Sequence, residues 1–202
     1  VTSAGNNVLV LQFNTSNQLE VFASTWGSPV DWQLTGTQVF RDPSAWYHIT
    51  LAVDTTQATA ANRVALYVNG VKITGFATET YPALNYDTAV NNTVSQVLGC
   101  SIAGLYHFDG YMAEVNFIDG TALDPTSFGE FKSDIWVPKE YTGSYGTNGF
   151  YLSFADSANI GDDLSGNTND WTANNLVSTD VMLDSPTNNY AVLNPTDVDT
   201  TS

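Results

Sequence analysis

The densest set of oxygen donors in the chain is the loop Asp156-Ser157-Ala158-Asn159-Ile160-Gly161-Asp162-Asp163-Leu164-Ser165-Gly166-Asn167-Thr168-Asn169-Asp170-Trp171. Calcium takes six to eight oxygens from carboxylates, carbonyls and amides, and loops rich in Asp, Asn and Gly supply them with little strain. Asp156, Asp162, Asp163, Asn167, Asn169 and Asp170 are the expected ligands, and calcium is the expected cofactor. The spacing does not match an EF-hand loop. The same residues also build tight turns, because short Asx side chains bond to nearby backbone N–H groups. Both readings stand on the sequence alone.

A second chemistry belongs to Trp26, Asp31 and Trp32, in the run Ser24-Thr25-Trp26-Gly27-Ser28-Pro29-Val30-Asp31-Trp32. Exposed indoles stack on sugar rings and a carboxylate accepts hydroxyl hydrogen bonds, so these three are the expected glycan-binding residues. Trp46 reads as structural, and Trp136 and Trp171 as pins for loops.

Catalysis finds little support. Retaining glycosidases need two carboxylates about 5 Å apart, yet Glu20, Glu79, Glu114, Glu130 and Glu140 are isolated. Glu114 and Asp119 fall on opposite faces of any strand that carries both. His48 and His107 have no Gly-x-Ser-x-Gly elbow to serve, and Cys100, the one cysteine, excludes an intrachain disulfide. No catalytic residue is assigned, and the chain reads as a non-enzyme. Asn14-Thr15-Ser16 and Asn91-Asn92-Thr93 match glycosylation acceptors, a pattern common by chance in such a chain.

The elements that must hold these residues read as strands. Val8–Phe13 and Gln18–Ala23 alternate around the turn-forming Asn14-Thr15-Ser16-Asn17, and Asn69-Gly70 supplies the positive φ angles of a tight hairpin. Further strands are expected near 30–35, 37–41, 46–53, 63–69, 71–76, 94–102, 108–118 and 149–155. Within Tyr111-Met112-Ala113-Glu114-Val115-Asn116-Phe117-Ile118, the face of Ala113, Val115 and Phe117 is apolar, while Glu114 and Asn116 point to the other, which is wet or lines a groove. The only clear helix start is Asp124-Pro125, a cap followed by a preset first position. Residues 184–202, with the short apolar run Ala191-Val192-Leu193 and an acidic end, read as an extended arm and linker.

With 202 residues the chain has room for one β-sandwich domain, assigned here to residues 1–183. Twenty-one acidic residues against five basic ones give a net charge of −16, and the basic residues do not cluster. Nucleic acid is therefore an unexpected partner. No apolar run reaches the roughly 20 residues of a membrane helix, and the first residues lack a basic-then-apolar leader, so neither membrane insertion nor an export signal is expected.

Two stretches carry a resemblance. Asp42-Pro43-Ser44-Ala45-Trp46-Tyr47-His48-Ile49-Thr50-Leu51-Ala52-Val53-Asp54 followed by Leu66-Tyr67-Val68-Asn69-Gly70, and Phe108-Asp109-Gly110-Tyr111 through Leu123, resemble laminin G-like domains of the concanavalin A-like lectin/glucanase superfamily. The resemblance covers roughly residues 5–195, and its nearest form is the module of long phage and bacterial surface polypeptides, where stretches like Pro138-Lys139-Glu140-Tyr141-Thr142-Gly143 and Ser165-Gly166-Asn167-Thr168-Asn169-Asp170-Trp171 recur. It implies an antiparallel jelly roll with one short helix. It also implies a non-catalytic extracellular or virion surface module, bound to a glycan or cell-surface polysaccharide and to other chains of an assembly. The alternative is a purely structural capsid or fibre part, and a glycoside hydrolase stands third. Such domains often place a cation at the sandwich rim, which makes Asp54, Asp109 and Asp119 further candidates. The related glucanases present Glu-x-Asp-x-x-Glu, which this chain lacks. Strands that normally precede Val1 in the family are not in the sequence, so an open sheet edge, and oligomerisation or strand addition across it, are expected.

Overall fold

A computed structural model describes residues 7–25, 28–90, 92, 94–101 and 104–182. The arm assigned to 184–202, Trp26, and the acceptor positions Asn91 and Thr93 lie outside the described residues. Strands β1 (Asn7–Phe13), β2 (Gln18–Thr25), β3 (Val30–Val39) and β7 (Phe76–Thr80) form a four-stranded antiparallel sheet in the order β1-β2-β3-β7. Strands β4 (Ile49–Val53), β5 (Val64–Val68) and β6 (Val71–Lys72) form a three-stranded one in chain order. Two further pairs follow: β8 (Val115–Phe117) with β11 (Phe150–Leu152), and β9 (Gly129–Lys132) with β10 (Ile135–Pro138).

Period-2 alternation sets which side chains meet. Leu19, Val21 and Ala23 of β2 and Trp32 and Leu34 of β3 face Val64, Leu66 and Val68 of β5, closing the core of an all-β sandwich. The β5–β6 turn uses left-handed Asn69 and Gly70, at φ 49° and 76°. Asn69 also fastens β4, its Oδ1 accepting from the His48 N–H at 2.8 Å. The Gly70 side is closed by the Trp136 ring of β10, which any Cβ there would strike at 2.3 Å.

Several expected elements differ. The strands expected at 30–35 and 37–41 are one strand, β3, bent by register shifts at Gln18/Glu20 and Ala23/Ser24 on the β2 side and at Thr35/Gly36 on the β7 side. No strand forms among the described residues of 94–101, and the stretch expected at 108–118 pairs only over β8, because extended backbone becomes a strand only where a partner accepts its hydrogen bonds. The helix at Asp124 is a single 3-10 turn, Pro125–Ser127, with the Asp124 side chain accepting from Thr126 N–H as expected of a cap. Two more such turns lie at Ala60–Asn62 and Ser178–Asp180. No helix among the described residues is long and apolar enough to cross a membrane.

Candidate functional site

The register of β8 and β11 pairs Val115 with Leu152, Asn116 with Tyr151 and Phe117 with Phe150. Alternation then puts Phe117, Phe150 and buried Leu152 on the inner side, where Trp171 closes edge-on against Phe150 at 5.0 Å. Asn116 and Tyr151 take the other face, joined by Glu114, whose carboxylate accepts from the Tyr151 hydroxyl. Tyr145 lies stacked on Tyr151, centroids 6.4 Å apart and planes at 17°, and donates to Asn116 Oδ1 at 2.9 Å. Tyr141 meets Tyr145 edge-on at 5.1 Å, and Phe128 continues the row at 5.2 Å from Tyr141. This is the face, wet or lining a groove, that the alternation of Glu114 and Asn116 sets opposite the apolar one. The tyrosine row was missed, because Tyr141 and Tyr145 sit in coil and reach β11 only through the fold.

Both central phenols stay protonated at any physiological pH. Burial, then the neighbouring Tyr141, Asp163, Glu140 and Glu114, pushes Tyr145 up to about 12. Burial and the hydrogen bond to Glu114 push Tyr151 up as well. The wall therefore offers aromatic faces, phenol oxygens whose protons are given to Asn116 and Glu114, and the remaining lone pairs of that carboxylate: surfaces for C–H groups beside acceptors for hydroxyls.

The Asx-rich loop is what holds this wall. Asp163 is buried, and its Oδ1 accepts from the Tyr151 N–H at 2.8 Å and the Ser165 N–H at 2.9 Å. Its Oδ2 accepts from Ser165 Oγ and the Asn169 N–H, both at 2.9 Å. Leu164 N–H in turn donates to the Tyr151 carbonyl at 2.9 Å, so both backbone groups of Tyr151 are clamped by the loop. Asn167 and Asn169 each send an Nδ2 donor to the Gly149 carbonyl at 2.9 Å, and Asn167 reaches Gly146 O at 2.7 Å. Asp170 Oδ1 accepts from the Asp163 N–H at 3.0 Å. Asp163, Asn167, Asn169 and Asp170 are thus brought together through donors. Asp156 and Asp162 stay apart, accepting from Ala158 N–H at 2.8 Å and Asn159 Nδ2 at 3.1 Å. Among the described residues no three His, Cys, Asp or Glu converge as a metal-holding group. Burial alone would raise the Asp163 pKa, but the N–H groups and the Ser165 hydroxyl outweigh it and hold the carboxyl below its ordinary range. Asp54 and Asp119 likewise tie turns, Asp54 to Thr56 and Gln57, Asp119 to Asn148.

Of the expected sugar platform, the described residues hold Asp31 and Trp32. Trp26 lies outside the described residues. Trp32 is 1% exposed in the centre of the sandwich, which corrects its reading as a loop indole: β3 begins at Val30, and alternation turns Trp32 and Leu34 inward. Asp31 points the opposite way and accepts from the Tyr86 hydroxyl at 2.8 Å.

On that outward face a polar cluster forms that the sequence did not disclose. Glu20 Oε1 accepts from Gln12 Nε2 at 2.9 Å, and Oε2 from Gln33 Nε2 and Thr35 Oγ1, both at 2.8 Å. Burial would raise its pKa, yet donors from Thr35, Gln12, Gln33 and Asn14 lower it on balance, so Glu20 is a held anion and a poor proton donor. The signal was present in outward positions of three consecutive strands, Gln12, Glu20 and Gln33, but only the register aligns them. His48 is half-buried beside Trp136, 5.5 Å between ring centroids, with burial lowering its pKa.

The tyrosine wall opens onto a cavity of ≈ 3580 Å³ that also reaches β1, β4 and residues 96–101 and 106–123. Ligand pockets measure roughly 300–1,000 Å³, so this space exceeds one small-molecule site severalfold.

Comparison with known families places residues 1–127 on a laminin G model described as the concanavalin A-like lectin/glucanases superfamily. No curated protein and no solved structure matches the chain significantly.

Proposed function

Because the chain belongs to the concanavalin A-like lectin/glucanases superfamily, whose laminin G-like domains are generally non-enzymatic, we propose that it is a glycan-binding adhesion module acting at an extracellular or virion surface, with the tyrosine wall as its site. The observation that carries this reading is the Tyr145–Tyr151 stack with Glu114 and Asn116 hydrogen-bonded to its hydroxyls. Sugars present C–H faces to aromatic rings and hydroxyls to carboxylates and amides, and this wall supplies both within one pleated face. Hydrolysis is not part of the reading: Glu20 is ionised and fully engaged by donors, and Glu114 is engaged by Tyr151.

The test is glycan-array screening of the 202-residue chain, followed by titration of the best ligand against variants. Tyr145→Ala should weaken binding at least about tenfold, equivalent to about 1.4 kcal/mol, with Tyr145→Phe much closer to the parent and the far-ultraviolet circular dichroism unchanged. No binding on the array, or equal binding by the Tyr145→Ala variant, rejects the site. A second reading, a structural capsid or fibre part, is favoured by the edges of β1 and β4, which have no further strand partner among the described residues.

A further inference from the structure

Neighbouring strands of the four-stranded sheet differ sharply on the same face. Leu19, Val21 and Ala23 of β2 are 1%, 0% and 1% exposed, whereas of their register partners on β1, Phe13 and Leu11 are 37% and 43% exposed and Leu9 is only partly buried. The cover stops because the opposing sheet ends at β4, which pairs with β5 on one side and with no strand among the described residues on the other. Both edges line the same cavity. On β4 itself, Thr50 is 7% exposed, yet its Oγ1, like His48 Nδ1, has no hydrogen-bond partner among the described residues. These two side chains lie on the face of β4 opposite Ile49 and Leu51, while the edge itself presents a row of backbone N–H and C=O groups that has no strand partner among the described residues and that a further strand can take up.

We propose that the β4 edge is a docking site for an extended strand of a different protein chain, apolar at alternate residues and basic between them. Added to β4, such a strand lays one face over Leu9, Leu11 and Phe13 and keeps the other toward the outer side, as strand addition requires. Its basic character follows from the walls: Asp42 and Asp54 flank β4, and Asp87, Asp109, Asp119 and Glu140 line the rest, against Arg41 and Lys139. A second copy fits poorly, since it brings another −16 charge. Residues 183–202 of this chain carry Asp184, Asp197 and Asp199 and no basic residue, so they fit poorly too. The cleft is an interaction surface independent of whether the tyrosine wall holds sugar.

The experiment uses the full chain with three labelled eight-residue peptides: alternating Lys-Val, the block isomer of four Lys then four Val, and alternating Glu-Val. Fluorescence anisotropy reads binding, hydrogen exchange reads the β4 amides, and sedimentation reads the oligomeric state. The alternating Lys-Val peptide should bind at least tenfold tighter than either control, slow exchange at β4, and lose that binding in the Leu11→Ser variant, whose site is already exposed. Equal binding by the block isomer overturns the proposal, since charge alone then suffices, and so does no binding at all. The amides read are those of Ile49, Leu51 and Val53, which the register turns away from β5: protection of these three already in the free monomer overturns the proposal in favour of residues 183–202, and protection with dimerisation overturns it in favour of a second copy.

Discussion

Glu20 shows how one carboxylate organises a sheet face without doing chemistry on anything else. Its four neighbours donate to the charged form, and their sum outweighs the burial that would raise its pKa. A depressed pKa gives stability that is present above the unfolded value, 4.5, and is lost as pH falls through the lower folded value. Chemical denaturation of the parent and the Glu20→Gln variant between pH 7 and pH 3 should therefore converge on acidification. At pH 7 the variant should be less stable by about 1–3 kcal/mol, the cost of leaving buried donors poorly matched. Trp32 makes the opposite case, an aromatic residue whose value is volume. Trp32→Ala removes the largest fully buried side chain and should cost about 3–5 kcal/mol in thermal or denaturant unfolding, whatever its effect on sugar.

At the scale of elements, the Asx loop works as a staple between β11 and the turn at residues 146–149. Asp163→Ala removes four acceptor contacts and should lower stability by several kcal/mol if they add, about 1–3 for each buried donor left unpaired. Chelation is the contrasting measurement: because N–H and O–H donors already occupy both Asp163 oxygens, excess EDTA should leave the melting temperature unchanged, and a fall of several degrees would restore calcium to this loop. Gly149→Ala places a Cβ 1.8 Å from the Tyr145 carbonyl oxygen, so backbone must move, and the variant should lose about 1–3 kcal/mol together with any Tyr145-dependent ligand binding. Elements whose cause is local were legible in the sequence: the Asn69-Gly70 hairpin, the Asp124 cap, the β1–β2 pair, the groove face of Glu114 and Asn116. Those whose cause is a distant partner were not. Gly36 reads as a break between two strands, yet β3 runs through it on bulges, because β2 and β7 pair on either side. Strand β7 went unread for the same reason, and the tyrosine row exists only once coil at 141–145 is folded onto β11; the β9–β10 hairpin is local, but it turns on left-handed Ser133 and Asp134 with no glycine to mark it.

Across the whole molecule, charge and cover act against each other. A net charge of −16 keeps carboxylates in mutual repulsion that salt screens over a length of about 10 Å at 0.1 M. The melting temperature should therefore rise between low salt and 0.15 M sodium chloride and flatten above it; a curve indifferent to salt would show that the charges are too dispersed to matter. The sandwich closes fully over β2 and incompletely over β1, so the same chain holds a finished core and an unfinished edge. Trp32 and Trp136 fall on opposite sides of that line, and light reports it. Trp32, dry and with no partner for its N–H among the described residues, should emit at the blue end of the tryptophan range until the core itself opens. Trp136 rests against His48, an imidazole that burial keeps neutral below its ordinary pKa, so its emission should dim only when acid finally charges that ring. Two colours of intrinsic fluorescence thus separate loss of the core from events at the β4 face, with no label attached.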